Sequence, residues 1–198
     1  MNPHHLISIA GLSAGQLLHL LDSAQALRPD ALSGARHRTA LAGKTVCTLF
    51  FEPSTRTRSS FQLAAARLGA EVLNFDAGSS SANKGETAID TLLNLEAMGV
   101  DCFVVRTGVD GELQALAEAA KPGTHFINAG DGRSNHPTQA LLDMLTIRQH
   151  KGGDFSGLKI VIAGDILHSR VARSDLQALK QLGCGEIRVC APASLLPD

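Results

Sequence analysis

Two arginines and three hydroxyl side chains follow an apolar run near residue 50. The segment is Glu52-Pro53-Ser54-Thr55-Arg56-Thr57-Arg58. We predict Ser54 as a helix N-cap, so the next residues form a first turn whose backbone N–H groups lack partners within the helix. Arginine is unfavourable at that end of the helix dipole, by roughly 0.3–1 kcal/mol each. Free N–H groups, hydroxyls and a guanidinium are suitable donors to a phosphate, so we favour an anion-binding site here. The alternative is a solvated helix start whose arginines pair with nearby acids.

Further candidate residues follow other apolar runs of the chain. Arg106 comes directly after residues 100–105, and His136 and Gln139 flank a predicted helix start that follows residues 125–129. Ser80 and Lys84 lie in a glycine- and serine-rich stretch after residues 71–75. Each has an ordinary alternative, because a loop lysine is commonly solvated, a strand-end arginine often lies at a rim, and a lone histidine often caps a helix.

Taken together, these residues form a cationic set that is rich in donors and poor in acceptors. Such a set suits a small, doubly charged phosphate that carries a carbonyl group. A dinucleotide is not favoured, because the chain contains neither GxGxxG nor GxxxxGK[ST]. The turn at Ala163-Gly164-Asp165 also lacks the glycine pattern that a pyrophosphate needs.

Apolar runs alternate with amphipathic stretches along the chain. We predict strands over residues 45–51, 71–75, 100–105, 125–129, 158–163 and 186–190, and helices over 14–27, 55–68, 86–98, 111–120, 136–149 and 169–182. This alternation predicts an α/β fold, a parallel sheet flanked by helices on both faces. Ligands of such sheets bind beyond the carboxyl ends of the strands, where the candidate residues are expected.

Residues 151–157, Lys-Gly-Gly-Asp-Phe-Ser-Gly, have the composition of a linker. We therefore predict one domain over residues 1–150 and the beginning of a second α/β domain over 151–198. The second part has room for two strands and one helix, and two strands rarely form an independent sheet. It is expected to be incomplete.

The composition is that of an ordinary globular protein. The chain has 198 residues, 44% of them hydrophobic and 19% charged, and a formal net charge of −1. No basic stripe indicates nucleic acid or a membrane surface, and no signal peptide or membrane-spanning stretch is predicted. The four cysteines form no CxxC pair and are predicted to be buried free thiols in the reducing cytoplasm.

Two segments resemble the signatures of the transcarbamoylases. Residues 51–58, followed by Ser60-Phe61, are similar to the carbamoyl-phosphate signature, and His136-Pro137-Thr138-Gln139 with Leu142-Asp143 is similar to the second signature. Lys84-Gly85-Glu86-Thr87 resembles the aspartate enzymes, because ornithine enzymes usually place a glutamine before that glycine. Residues 164–170 resemble the start of a Rossmann-like aspartate-binding domain. The similarity to catalytic chains of aspartate transcarbamoylases (aspartate carbamoyltransferases) covers essentially the whole chain.

The resemblance implies transfer of the carbamoyl group of carbamoyl phosphate to the amino group of L-aspartate. The products are N-carbamoyl-L-aspartate and phosphate, in an early step of pyrimidine synthesis. It assigns the phosphate to Ser54, Thr55, Arg56 and Thr57, the carbonyl oxygen to Thr57, Arg106 and His136, the carbamoyl amide to Gln139, and a carboxylate of aspartate to Arg170. Thr57, Arg106 and His136 are thereby the catalytic candidates. No cofactor or metal is expected, because this reaction requires neither a nucleophilic residue nor a metal.

The resemblance also implies an assembly and a location. Ser80 and Lys84 are expected to reach into a neighbouring subunit's site, which implies a homotrimer with shared active sites. A cytoplasmic location is expected, and regulatory or dihydroorotase-like partner chains are compatible with the resemblance. The family's second domain is several times longer than residues 151–198, so we expect a C-terminally truncated form or fragment that binds carbamoyl phosphate without turnover. The alternatives are an ornithine-type transcarbamoylase and a non-catalytic anion-binding or scaffolding remnant.

Overall fold

The computed structural model describes residues 4–34, 39–76 and 86–197, over which strands and helices alternate. The strands are β1 (His5–Leu6), β2 (Thr45–Phe50), β3 (Glu71–Asp76), β4 (Cys102–Thr107), β5 (His125–Asp131), β6 (Lys159–Ala163) and β7 (Glu186–Cys190). The helices are α1 (Ala14–Ser33), α2 (Thr55–Arg67), α3 (Ala88–Ala97), α4 (Glu112–Ala119), α5 (Pro137–Lys151) and α6 (Arg170–Gln181), and a short 3₁₀ helix, Ala193–Leu195, follows β7. None of the described helices is long and apolar enough to cross a membrane.

The first five strands form one parallel sheet in the order β1-β5-β4-β2-β3. On one face, Leu49 of β2 shares a core cluster with Leu92 of α3. On the other face, Val46 of β2 shares a cluster with Ala65 of α2. Burial on both faces explains why β2 reads as a continuous apolar run. The predicted parallel sheet with helices on both faces is thus confirmed, and its carboxyl ends meet at one edge.

The prediction for β4 was displaced by two residues. Val100 was expected in the strand but packs into the core before the strand begins, at 5% exposure. Asp101 then anchors the turn, because Thr45 N donates to its carboxylate at 2.8 Å. The strand continues to Thr107, so Arg106 lies within β4 rather than after it.

Two other differences lie near the N-terminus. The strand β1 was not predicted, because two residues are too short for a periodic signal, and it exists through its pairing with β5. The helix α1 continues past Pro29 to Ser33, although we expected it to end before the proline. The residues around Pro29 are exposed, so the carbonyl that loses its N–H partner there can be hydrated.

The strands β6 and β7 form a separate two-stranded parallel sheet. It joins the larger unit through α6, since Ala140 and Met144 of α5 share one core cluster with Ala178 and Leu179 of α6. This packing holds the first residues of α6 beside the first residues of α5. The division into domains 1–150 and 151–198 stays a prediction.

All four cysteines are free, and they differ in burial. Cys47 is buried in the core, and burial raises the pKa of its thiol to about 12. Cys102 and Cys184 are half-buried and Cys190 is exposed, so the prediction that all four are buried holds in full for Cys47 and was wrong for Cys190. The reason is that Cys190 ends the second strand of a sheet that has only two.

Glu96 closes the turn between α4 and β5 from inside the protein. Its side chain is only 3% exposed. One oxygen, Oε1, accepts hydrogen bonds from Lys121 N at 2.8 Å and from Thr124 Oγ1 at 2.6 Å. The carboxylate therefore satisfies two donors that water does not reach easily.

We predict that Glu96→Ala lowers the free energy of unfolding by about 2–3 kcal/mol, because two donors lose their acceptor in a buried place. Glu96→Gln retains an oxygen acceptor and is expected to lose less. Urea unfolding followed by circular dichroism measures both. Glu118→Ala, on an exposed part of α4, is the control and should change stability by no more than about 0.5 kcal/mol. Equal losses in Glu96→Ala and the control would contradict this role.

Candidate functional site

Neighbouring strands bring Glu52 and Arg106 together at the carboxyl edge of the larger sheet. Phe50, the last residue of β2, pairs in register with Arg106. Phe51 N continues the ladder by donating to Arg106 O at 2.8 Å. Glu52 follows at once, so its side chain begins beside that of Arg106.

The carboxylate of Glu52 contacts two guanidinium groups through the same oxygen. Its Oε2 lies 3.1 Å from Arg106 Nε and 3.2 Å from Arg170 Nη2. The two arginine side chains are 17% and 16% exposed, and that of Glu52 is 32% exposed. Two cations thus contact one carboxylate in a largely desolvated place, and the charge of Arg170 also acts on the buried carboxyl group of Asp131.

Arg106 keeps donor capacity that the protein does not use. Its Nη1 donates to Ala129 O at 3.3 Å. Its Nε lies at ion-pair distance from Glu52 but without hydrogen-bond geometry, so this buried N–H has no hydrogen-bond partner among the described residues. Burial and the charge of Arg170 lower the pKa of the Arg106 guanidinium, while Glu52 opposes this. The local field therefore favours an added negative charge.

Arg170 reaches the site from the second sheet's helix. It is the first residue of α6, after the N-cap Ser169. Its Nη1 donates to Gly132 O at 2.8 Å. A Cβ built on Gly130, whose φ is +128°, would lie 2.9 Å from Arg170 Cζ, so a side chain there would collide with the guanidinium. The glycine gives Arg170 room to lie against the end of β5.

His136 lies in the same group as a buried, neutral imidazole. It is the N-cap residue of α5 and is 8% exposed, and its backbone N donates to Ser174 Oγ at 2.9 Å. Burial, followed by the charges of Arg170 and Arg106, lowers the pKa of its imidazole to about 4. Thr138 Oγ1 lies 3.4 Å from Nδ1. The same hydroxyl lies 3.4 Å from Asn128 O, to which it can donate. In the tautomer where it donates to Nδ1 instead, the opposite nitrogen carries the proton and is a neutral donor.

The first turn of α2 lies at this edge of the sheet, two residues beyond Glu52. Ser54 is the N-cap residue, as predicted, but its side chain makes no capping hydrogen bond. Ser54 and Thr57 are half-buried, while Thr55 and Arg56 are exposed. The first turn of α2 therefore presents backbone N–H groups that the cap side chain does not satisfy, together with hydroxyl donors and a cation.

Within the first turn of α5, Gln139 is held by an acidic neighbour. Its Nε2 donates to Asp143 Oδ1 at 3.1 Å. Asp175 of α6 is close enough that Asp143 raises its pKa, after the larger effect of burial, to about 7. Asp175 Oδ1 is buried and has no hydrogen-bond partner among the described residues. Asp175 is therefore protonated below neutral pH and loses its proton as the pH rises through about 7.

Residues 4–149 match the family described as "Aspartate/ornithine carbamoyltransferase, carbamoyl-P binding domain". The chain belongs to this family. It is 68% identical over 194 residues to the aspartate carbamoyltransferase catalytic subunit of Xanthomonas campestris pv. campestris, and 67% identical over 195 residues to that of Stenotrophomonas maltophilia. The matches cover 98% of this chain and 62% of each relative, so the chain spans less than two thirds of the length of these carbamoyltransferase subunits.

Solved carbamoyltransferase structures share the fold. Aspartate transcarbamoylase from Trypanosoma cruzi in complex with carbamoyl phosphate matches with a TM-score of 0.86 and 35% identity, over 98% of this chain and 59% of that one. The same enzyme with carbamoyl phosphate and aspartate matches with a TM-score of 0.83 and 34% identity, over 96% of this chain and 59% of that one.

Several residues of the predicted carbamoyltransferase site gather in the structure. Arg106 and Arg170 lie close enough for their charges to act on each other and on the imidazole of His136. Ser54, Thr55, Arg56 and Thr57 lie in or beside the first turn of α2. Gln139 follows His136 within the first turn of α5. Ser80 and Lys84 lie outside the described residues.

Sequence reasoning gave no role to three residues that hold the site together. These residues are Glu52, Asp143 and Ser174. Glu52 and Asp143 stand within the two signature segments, which was the available signal. No motif pointed to Ser174, because its contact with His136 depends on how α6 packs against α5.

We predict that Asp175→Asn stabilises the chain at alkaline pH. The folded-state pKa of Asp175, about 7, lies above its ordinary value of 3.8, so folding retains a proton that the unfolded chain releases. This contribution is complete below about pH 4 and is lost as pH rises through about 7. At pH 8 the uncharged asparagine avoids that loss, and we expect a gain on the order of 1–2 kcal/mol.

Urea unfolding between pH 5 and pH 8 measures this effect. The variant should lose less stability than the wild type as pH rises, whereas Glu118→Gln, on the exposed part of α4, should follow the wild type. Parallel pH curves for wild type and Asp175→Asn would show that Asp175 does not hold the proton.

Proposed function

We propose that this chain forms the carbamoyl-phosphate site of an enzyme that transfers the carbamoyl group to the amino group of L-aspartate. The products are N-carbamoyl-L-aspartate and phosphate, in pyrimidine synthesis. The observation that carries the proposal is the cluster of Arg106, Arg170 and His136, in which both guanidinium groups contact the carboxylate of Glu52. A cluster with two guanidinium groups, one carboxylate and one neutral imidazole favours a small anion.

In this proposal, the phosphate binds at the start of α2. Ser54, Thr55, Arg56 and Thr57 supply hydroxyl, guanidinium and backbone N–H donors to its oxygens. The N-terminal end of the helix dipole adds a favourable field. Arg56 is exposed and has no hydrogen bond or ion pair with the other described residues, so its guanidinium is available to the phosphate.

The carbonyl oxygen of the bound substrate lies, in this proposal, among Thr57, Arg106 and His136. The amine of aspartate attacks the carbonyl carbon, and negative charge develops on that oxygen. Donors aimed at a developing oxyanion stabilise the transition state, and removal of one typically costs about 2.7–4 kcal/mol. His136 contributes a neutral donor, because its pKa of about 4 keeps it unprotonated at neutral pH. Gln139 holds the carbamoyl amide, and joint orientation of the two substrates lowers the barrier further.

Arg170 binds a carboxylate of aspartate in this proposal. Support for aspartate over ornithine comes from the names of the relatives, which are aspartate carbamoyltransferase catalytic subunits. A purely scaffolding role is less favoured, because it gives no reason to bury two arginines beside one glutamate.

The proposal extends to assembly and location. A cytoplasmic homotrimer, in which Ser80 and Lys84 of one subunit complete a neighbour's site, agrees with the resemblance of Lys84-Gly85-Glu86-Thr87 to the aspartate enzymes. Regulatory or dihydroorotase-like chains are partners to test by co-purification. Aspartate turnover belongs to a protein of the relatives' full length, so carbamoyl-phosphate binding is the activity to test first on this chain.

We predict that the chain binds freshly prepared carbamoyl phosphate in isothermal titration calorimetry and that Arg56→Ala weakens this binding by about 10–100-fold. The loss corresponds to a hydrogen bond with a charged group, roughly 1.5–3 kcal/mol. Because Arg56 is exposed, the thermal midpoint should not change. Where turnover is measurable, the same variant should lower it by orders of magnitude.

Arg188→Ala provides the control, since Arg188 lies on β7 and pairs with Glu186. It should bind carbamoyl phosphate as the wild type does. Unchanged affinity in Arg56→Ala, or the same loss in both arginine variants, would count against the phosphate site at α2.

A further inference from the structure

Gln139 and Asp143 lie on one face of α5, four residues apart, a spacing that places side chains above one another on a helix. His136 is the N-cap residue of the same helix. The face packs against α6, since His136 N donates to Ser174 Oγ and Asp143 raises the pKa of Asp175. Two of the three residues belong to the proposed substrate site, and Asp143 has no assigned role.

The contact between Gln139 and Asp143 decides which end of the glutamine amide faces the site. Gln139 Nε2 donates to Asp143 Oδ1 at 3.1 Å. An ionised carboxylate is an acceptor only, so it attracts the NH₂ end of an amide and repels its oxygen. With Nε2 held by Asp143, the amide presents Oε1 as the group that remains for another partner.

Asp175 keeps Asp143 in this accepting state. It lies across the α5–α6 contact, and its Oδ1 is buried without a partner among the described residues. Two close carboxylates do not both ionise easily, and the proton of this pair lies on Asp175, the more strongly shifted of the two. Asp143 thereby stays an acceptor.

We propose that Asp143 is a positioning residue that orients the Gln139 amide so that Oε1 accepts a hydrogen bond from the carbamoyl N–H of the substrate. The inference rests on the proposed function and deepens it, because it names what distinguishes a carbamoyl group from groups of the same shape. The discrimination comes from one fixed acceptor rather than from the size of a pocket.

Acetyl phosphate is the probe that isolates this interaction. It has the phosphate and the carbonyl of carbamoyl phosphate but carries a methyl group where the substrate has NH₂. A methyl group does not donate a hydrogen bond, so acetyl phosphate would leave Oε1 unpaired in the site. Sites built to hydrogen-bond a substrate group reject analogues that lack the group more strongly than sites that measure size alone.

Calorimetric titration of the whole chain with carbamoyl phosphate and with acetyl phosphate tests the proposal. The wild type should prefer carbamoyl phosphate. Asp143→Leu roughly keeps the volume of the side chain but removes the acceptor, and it should lower that preference about tenfold. The loss should come from weaker binding of carbamoyl phosphate, while the affinity for acetyl phosphate stays nearly unchanged. Asp143→Asn should retain the preference, because its oxygen can accept from Gln139 while its NH₂ faces Asp175.

Gln139→Leu gives a second measurement that does not depend on the folding of Asp143→Leu. This variant removes the acceptor itself and should lose the same preference for carbamoyl phosphate. The double variant, Asp143→Leu with Gln139→Leu, should lose no more of that preference than Gln139→Leu alone. If Asp143→Leu weakened the binding of both ligands equally, Asp143 would have a structural role only, and the inference would be overturned. An unchanged preference for carbamoyl phosphate in either leucine variant would overturn it as well. A wild type that binds no carbamoyl phosphate would refute the proposed function itself, a result distinct from binding without preference.

Discussion

Glu52 makes the arrangement of this edge possible, because it lets two guanidinium groups approach each other in a desolvated place. Arg106 Nε and Arg170 Nη2 contact the same carboxylate oxygen, at 3.1 and 3.2 Å. Without that carboxylate their repulsion would be little screened, since both side chains are mostly buried. The ion pairs are therefore best understood as a means of holding positive charge in place. An arriving dianion would supply the counter-charge that one carboxylate does not.

The path of the backbone brings these groups together from distant parts of the chain. Arg170 and Glu52 are 118 residues apart in sequence. Parallel strands put Glu52 and Arg106 at the same edge, and the packing of α6 on α5 adds Arg170 from the second sheet. The carboxyl edge of a parallel sheet collects the loops that follow its strands. The site thus depends as much on the apolar contact between α5 and α6 as on the charged residues themselves.

The sequence was enough to predict the residues of this site that directly follow strands, because the strands show as periodic apolar runs. It placed Arg106 and His136 at one edge because each follows an apolar run, and the parallel sheet confirms that edge. It did not predict the contact of Glu52 with Arg170 or of Ser174 with His136, because both depend on how one helix packs against another. Local rules also failed at Pro29, where the exposed helix continues although the proline removes a backbone hydrogen bond. They missed β1, which two residues form only by pairing with β5.

His136 shows why the positive charge of the site matters for the proposed reaction. Out of water, and within reach of the charges of Arg170 and Arg106, a third cation is strongly unfavourable, so the pKa of the His136 imidazole falls to about 4. The same field acts on an incoming amine, favouring the unprotonated form that can attack a carbonyl. A neutral imidazole can still donate a hydrogen bond to the oxygen on which charge develops. It also adds no positive charge to the site, so it does not strengthen the ground-state binding of the aspartate carboxylates. Burial, the two arginines and the single glutamate thus act through one electrostatic balance, in which a cationic site keeps its own histidine neutral.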